Sequence, residues 1–284
     1  MQTVEQIRDK IESAEGLYQV VKTMEGLAAV NIRQYQRANE SLTDYTATVQ
    51  QGLQVLLHHA GERIQLRDFP QDSSGRLLAV VFGSDQGMVG QFNSRIVQHF
   101  RSTIEKAQGG AADRWVLAVG RRVAGRFRSE GEEVVVLLDL PRSAEAIAPQ
   151  SQRLLAAVQN FRDRGARRVL LMHHIPEGGA SYSSMTRSVF PLSVEWLSRL
   201  RRKPWPGASL PMVRVNVETM LGYLVSQYLF VSLFRAFAGS LAAENASRLA
   251  SMQAAERNIE ERLGTLRNRY HRLRQSQITS ELLD

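Results

Sequence analysis

The stretch Gly83–Asn93 is the first place where this sequence could do chemistry. A short apolar run, Leu77–Phe82, leads into Gly83-Ser84-Asp85-Gln86-Gly87-Met88-Val89-Gly90-Gln91-Phe92-Asn93, and a helix-like stretch follows. A glycine-rich turn between strand and helix can cradle phosphate on the helix N-terminus. The spacing here is G-x3-G-x2-G rather than G-x-G-x-x-G, and no Walker A lysine follows. A tight turn that needs glycine for its geometry accounts for the same residues, and we prefer it. Ser84 and Asp85 are polar turn residues that could be catalytic only with a histidine brought from elsewhere. Two histidine pairs, His58-His59 and His173-His174, invite a metal, but adjacent residues point in different directions on a helix or a strand. No carboxylate–histidine motif supports such a site. No nucleophile elbow, HExxH, EF-hand loop or cysteine–histidine constellation is present. The sequence therefore assigns no catalytic residue, no cofactor and no metal.

The remaining chemistry is charge. The 284 residues carry a formal net charge of +8 and no cysteine, so disulfides and thiolate ligands are excluded. A basic balance points to an acidic partner: nucleic acid, an anionic membrane surface or an acidic protein. The arginines concentrate toward the end, at Arg248, Arg257, Arg262, Arg267, Arg269, Arg272 and Arg274. Many fall off the apolar seam and face outward, as on a solvated coiled coil or on a cationic shaft passing acidic surfaces. They are not interleaved with exposed aromatics in the manner of a nucleic-acid stacking platform.

These groups must be positioned by elements, and proline marks where the elements lie. All eight prolines fall between Pro70 and Pro211. Proline costs about 3 kcal/mol inside a helix, so both ends are free to be long helices and the middle is not. From Val4 a 3-4 spacing runs through Ile7, Ile11, Ala14, Tyr18, Val21, Ala28, Ile32, Tyr35, Leu42, Val49 and Leu53 to Leu56. Polar residues interrupt it at Glu25, Asn39 and Thr46. That spacing keeps one seam on one side of a helix. At about 1.5 Å per residue the helix would be roughly 80 Å long. The spacing returns at Leu249, Met252, Ile259, Leu263, Leu266, Tyr270 and Leu273, interrupted once by Glu256. Upstream, Met212–Leu241 is apolar on most faces, which predicts a buried helix.

The middle has another rhythm. Apolar runs at Leu77–Phe82, Trp115–Val119, Val134–Leu138 and Val169–Met172 alternate with helix-like stretches at Ser94–Ala107, Arg121–Ser129 and Ser143–Arg164. A further strand is expected over Met185–Phe190 and an exposed loop over Arg201–Gly207. Alternating strands and helices predict a mostly parallel sheet. The fold class is thus α/β plus coiled coil, with long antiparallel terminal helices forming a shaft around an inserted Rossmann-like α/β domain. The expected divisions are 1–62 for the first helix, 75–195 for the α/β domain and 210–284 for the last helix. No stretch approaches 18 consecutive apolar residues, and the N-terminus lacks the apolar core of a signal peptide, so cytoplasmic residence is expected.

The chain resembles the gamma subunits of rotary F-type ATP synthases. Ile7–Ile11 followed by Val21–Ala29 resembles the family's IRxKI…ITKAMEMVAA pattern, and Gly83–Asn93 resembles its TSDRGLCGGLN turn. Ser232–Phe237 through Leu241–Met252 resembles its C-terminal signature, and Arg274–Leu282 its RQASITQEL ending. The matches keep the same order across nearly the whole chain. The resemblance implies a non-catalytic rotor shaft standing inside a ring of alpha and beta subunits. The α/β domain would sit at the foot, near epsilon and the membrane c-ring, at the cytoplasmic face of a bacterial inner membrane. No nucleic acid is implied. Carried over by position, Lys22, Met24, Arg248, Arg274, Gln275 and Thr279 are the residues expected to contact beta. Gly26 in the shaft, the loss of the turn's arginine and cysteine, and an end at Asp284 depart from the family pattern. These departures suggest a shorter tip and a divergent or alternative bacterial ATPase. Two other classes compete. A nucleotide-binding α/β enzyme does not explain the long helices, and a basic coiled-coil scaffold does not explain the inserted domain.

Overall fold

A computed structural model describes residues 3–59, 75–106, 114–209 and 211–283. Helix α1 spans Val4–Glu40 and opens on a capping box. Thr3 Oγ1 accepts the Gln6 N–H while the Gln6 side chain accepts the Thr3 N–H. Helix α2 spans Thr43–His59. The two are not one rod, because a turn at Ser41–Leu42 separates them and the seam is lost just before it, where Asn39 is exposed.

The central strands are β1 (Arg76–Phe82), β2 (Arg114–Val119), β3 (Val134–Leu138), β4 (Ala166–Gly178) and β5 (Ser181–Phe190). The helices among and after them are α3 (Phe92–Lys106), α4 (Arg121–Ser129), α5 (Ile147–Asp163) and α6 (Val194–Arg202). Among the described residues the sheet order is β3-β2-β1-β4-β5, with β5 alone antiparallel. The strand-and-helix alternation expected from sequence is present. The Val169–Met172 run grows into a strand that continues to Gly178, and Arg201 and Arg202 close α6 rather than opening a loop.

Period-two alternation sorts the sheet into two apolar faces. Leu77, Ala79 and Val81 of β1 pack with Ile96, Val97 and Phe100 of α3 and Val123 and Phe127 of α4. Leu78, Val80 and Phe82 face the other way, onto Leu154, Val158 and Phe161 of α5. That second face also receives helix α7, Val217–Leu283, through Leu229, Leu233, Phe237 and Leu241. The last helix is therefore part of the sheet domain's core before it leaves as a coil. A third cluster joins Leu53 and Leu57 of α2 to Leu197 and Leu200 of α6 and to Leu224 and Tyr228 of α7. Not all of the apolar Met212–Leu241 segment is buried: Met212, Val215 and Tyr223 are exposed, and the helix starts only at Val217, capped by Asn216 Oδ1. An 18-residue window of α7 is apolar enough to cross a bilayer by length and composition, yet 56% of it is buried inside the protein.

Glycines divide by what surrounds them. At Gly83, just after β1, a Cβ would lie 2.3 Å from Val123 Cβ and 2.6 Å from Asn93 Oδ1. At Gly16, within α1, it would meet nothing within 4 Å among the described residues. Gly83→Ala should therefore lower stability by about 1–3 kcal/mol through overpacking. Gly16→Ala should raise it by up to about 1 kcal/mol through helix propensity. Urea denaturation of the two variants beside the parent chain checks both signs.

Candidate functional site

The coil between α1 and α7 is held by an apolar seam carrying polar rungs. Ile7, Ala28 and Tyr35 of α1 and Met252 and Leu263 of α7 are buried. Between them Arg267 meets Glu15 at 2.7 Å, and the Tyr18 hydroxyl lies 3.1 Å from Glu256 and 3.2 Å from Glu260. Lys22 Nζ reaches Glu256 at 2.7 Å, the Gln253 amide donates to Glu25 at 3.2 Å, and Asn31 donates to Asn245 at 3.4 Å. Partners rise along one helix as they fall along the other, so the pair is antiparallel. Glu25 and Glu256, which look like interruptions of the apolar spacing, are the rungs themselves. The signal was there in sequence: polar residues replace apolar ones at seam positions on both helices. The hydrogen bond to Glu256 pushes the Lys22 ammonium up to about 12, and Lys22 holds the Glu256 carboxyl below its usual range.

The six residues expected to meet a partner separate into two groups. Lys22 and Met24 lie on α1 beside the rungs; the Lys22 side chain is 55% exposed with its ammonium already held, and Met24 is half-buried. Arg274, Gln275 and Thr279 are exposed on the last turns of α7, level with the start of α1, and the Thr279 hydroxyl donates to the Gln275 carbonyl at 2.8 Å. Arg248 is unlike the others. It is only 8% exposed, and its guanidinium is committed to Glu244 at 2.6 Å and Asn245 at 3.3 Å. Burial pushes the Glu244 carboxyl above its usual range, against the pull of Arg248. The pair lines a polar cleft of about 590 Å³ between the coil and the loops that follow β1, β2 and β3.

The glycine-rich turn forms the other wall of that cleft, and its polar groups face inward to the protein. The Gly83 N–H donates to the Val119 carbonyl at 2.8 Å, and the Ser84 N–H to Asn93 Oδ1 at 3.0 Å. Asp85 accepts the Arg121 N–H at 2.8 Å and the Leu140 N–H at 2.9 Å, so one carboxylate ties together the ends of three strands. It also caps α4, whose own N-cap, Gly120, has no side chain to offer. Gly120 has φ +114°, and a Cβ there would lie 2.9 Å from the Ser84 carbonyl oxygen. Ser247 of α7 donates to the Val89 carbonyl at 2.7 Å, latching the turn to the coil. Ser84 and Asp85 are thus joints between elements. Met88 adopts φ 58° and is exposed.

His58 and His59 end α2, whereas His173 and His174 project to opposite faces of β4. His174 Nε2 donates to the Phe92 carbonyl at 2.9 Å, which leaves Nδ1 to accept the Ser184 hydroxyl at 3.1 Å. His173 Nδ1 donates to the His174 carbonyl at 3.0 Å. Burial lowers both from 6.5 to about 4. Below pH about 6.5 the unfolded chain takes up protons that the folded chain refuses until about pH 4, so stability falls as pH drops through that window. Thermal melting from pH 7 to pH 5 should show a loss on the order of 1–2 kcal/mol for each histidine. His174→Gln should flatten the slope.

The comparisons with known proteins bear on this coil and sheet together. A family model described as ATP synthase matches residues 3–284. The ATP synthase gamma chain of Limosilactobacillus fermentum is 26% identical over 98% of this chain and 95% of its own. That of Nitratiruptor sp. is 24% identical over 100% and 97%. Among solved structures, a chain in the OSCP/F1/c-ring structure of Euglena gracilis mitochondrial ATP synthase superposes with a TM-score of 0.64 at 16% identity. The match covers 99% of this chain and 91% of that one. One in the central stalk and c-ring structure of the Tetrahymena thermophila mitochondrial enzyme gives 0.61 at 18% identity, over 83% and 99%.

Proposed function

The chain belongs to the ATP synthase family, and we infer from this that it is the gamma-type central shaft of a rotary F-type ATP synthase, a non-catalytic subunit. The observation that carries the reading is full-length similarity to gamma chains, spanning coil and sheet domain alike. The partners are the alpha and beta subunits of the head, epsilon, and the c-ring. Rotation of the ring turns the foot, the coil turns with it, and the asymmetric tip drives each beta subunit through states of different nucleotide affinity. That is a coupling free energy carried by contacts that differ between rotational states.

The physical requirement is a shaft that neither bends nor slips on its foot. Helix α7 runs unbroken from Val217 to Leu283, roughly 100 Å at about 1.5 Å per residue, so no joint lies between foot and tip. Its foot end is packed into the sheet core, so torque enters through many contacts at once. The rungs from Glu15–Arg267 to Asn31–Asn245 resist sliding of α1 along α7.

Among the six carried-over residues, Arg274, Gln275 and Thr279 are the ones we assign to the tip catch on beta. An arginine fork on a carboxylate is directional, which suits a catch that holds one rotational state. Met24, beside the rungs further down the coil, offers half-buried apolar contact. Lys22 would share its ammonium with Glu256, and Arg248 would reach a partner only through the rim of the cleft. We place the subunit as a peripheral component at the cytoplasmic face of a bacterial inner membrane. Gly26, Gln86 and Val89 support a divergent or alternative enzyme, which location of the gene in a second ATPase operon would check.

Co-purification of the tagged chain from its native cells, with mass spectrometry, tests the reading. Recovery of alpha, beta and epsilon subunits is expected; recovery with nucleic acid or alone would overturn it. In the assembled enzyme, Arg274→Ala with Gln275→Ala should lower coupled turnover while leaving the melting temperature of the chain nearly unchanged, because exposed substitutions stay within about 0.5 kcal/mol. A large drop in melting temperature without loss of coupling would remove the tip assignment.

A further inference from the structure

A basic couple lies on the side of the sheet closed by β5, away from the tip and the polar cleft. Arg187 of β5 pairs across from Leu171 of β4, and Leu171 belongs to the core beneath α7. Residues directly opposite on neighbouring antiparallel strands share a face, so Arg187 is presented to α7. Further along, Gly239 of α7 lies over β4: a Cβ there would meet the His174 carbonyl oxygen at 3.7 Å and the His173 ring at 3.8 Å. Helix α7 runs toward the carboxyl ends of the parallel strands, since Phe237 packs on Phe82 and Ser247 reaches Val89 beyond it. Stepping back one helical turn, about 5.4 Å, reaches Arg235. Stepping back two residues of β4, about 7 Å, reaches the level of Leu171 and Arg187. The two arginines are therefore at one level on facing elements.

Neither guanidinium has an ion-pair or hydrogen-bond partner among the described residues, and Arg235 Nε is buried without one. Burial holds Arg235 below its ordinary pKa, and Arg187 adds to that lowering. Two half-buried like charges without a counter-charge are unfavourable, and a bound anion relieves them. A second observation stands beside this one. Among the described residues β5 is the terminal strand, ten residues long, and it contains neither proline nor lysine, two devices by which edges are commonly closed. Its Met185 is exposed.

We propose that Arg187 and Arg235 receive a carboxylate carried on an extended acidic segment of a partner subunit, which adds along the edge of β5 that the described residues leave open. Main-chain pairing at the edge supplies affinity, and the arginine forks select an acidic side chain. Because Arg235 belongs to α7, the segment would bridge the foot directly to the shaft. The site rests on the geometry above; assigning its ligand to a partner subunit rests on the shaft reading.

The test uses the full chain and a fluorescently labelled oligoglutamate peptide, followed by anisotropy. Saturable binding is expected, weakened roughly tenfold or more by Arg187→Gln with Arg235→Gln, as loss of charge-assisted contacts implies. Arg201→Gln with Arg202→Gln removes the same charge from exposed positions on α6 and should leave the affinity within about twofold, as expected of screened surface charges. Equal weakening by both double variants would reduce the effect to net charge and overturn the proposal, as would absence of saturable binding. Should the first double variant not fold, Arg187→Gln alone carries the same expectation. This binding needs no other ATPase subunit, so its failure is read separately from a failure to co-purify with the head.

Discussion

One helix has to satisfy two packings at once, and the rest of the structure follows from that demand. Over Val231–Arg248 nearly every side of α7 is covered, by the sheet on one side and by α1 on the other. Close approach from two directions requires small side chains, and this stretch supplies Ala236, Ala238, Gly239, Ser240, Ala242, Ala243, Ala246 and Ser247. Large residues are kept for the sheet face, where Leu233, Phe237 and Leu241 fill the core. The helix is thereby anchored like a core element while it remains continuous with a free coil.

Where α7 leaves the sheet, packing gives way to polar pairing. Glu244, Asn245 and Arg248 form the last buried polar group, and the rungs beyond them are progressively exposed toward Arg267. The pairs that cross from α1 to α7, Asn31 with Asn245 and Glu25 with Gln253, meet only in this register, whereas Glu244 and Arg248 pair within α7. That suits a coil whose two strands must not slip, since an apolar seam alone would tolerate a shift of one turn. The charges change role along the helix: internal at Arg248, bridging at Arg267, and free toward solvent at Arg274.

The joint between foot and coil depends on the glycine-rich turn. Its shape invites a phosphate reading, but Gly83, Ser84 and Asp85 spend their hydrogen bonds on β2, α3, α4 and the end of β3. Ser247 then ties the same turn to the coil. The neutral histidines of β4 add a further lock, with His174 bonded to the Phe92 carbonyl at the start of α3.

By itself the sequence determined the classes of element and their order. Proline confined to the middle left both ends free for long helices, and the 3-4 spacing from Val4 and from Leu249 announced a coil. Short apolar runs marked β1 to β4, and a further strand was expected within β5, because these patterns are local consequences of what each element buries. The resemblance of ordered motifs carried the family. Tertiary structure alone decided what the polar exceptions meant. Glu25 and Glu256 are interruptions when read along the chain and become rungs only when the other helix supplies Gln253, Lys22 and Tyr18. Arg248 reads as an outward cation, yet Glu244 and the α/β domain enclose it. Long-range partners have no signature in local periodicity, since a polar residue at a seam position marks a rung without naming the residue that faces it on the other helix.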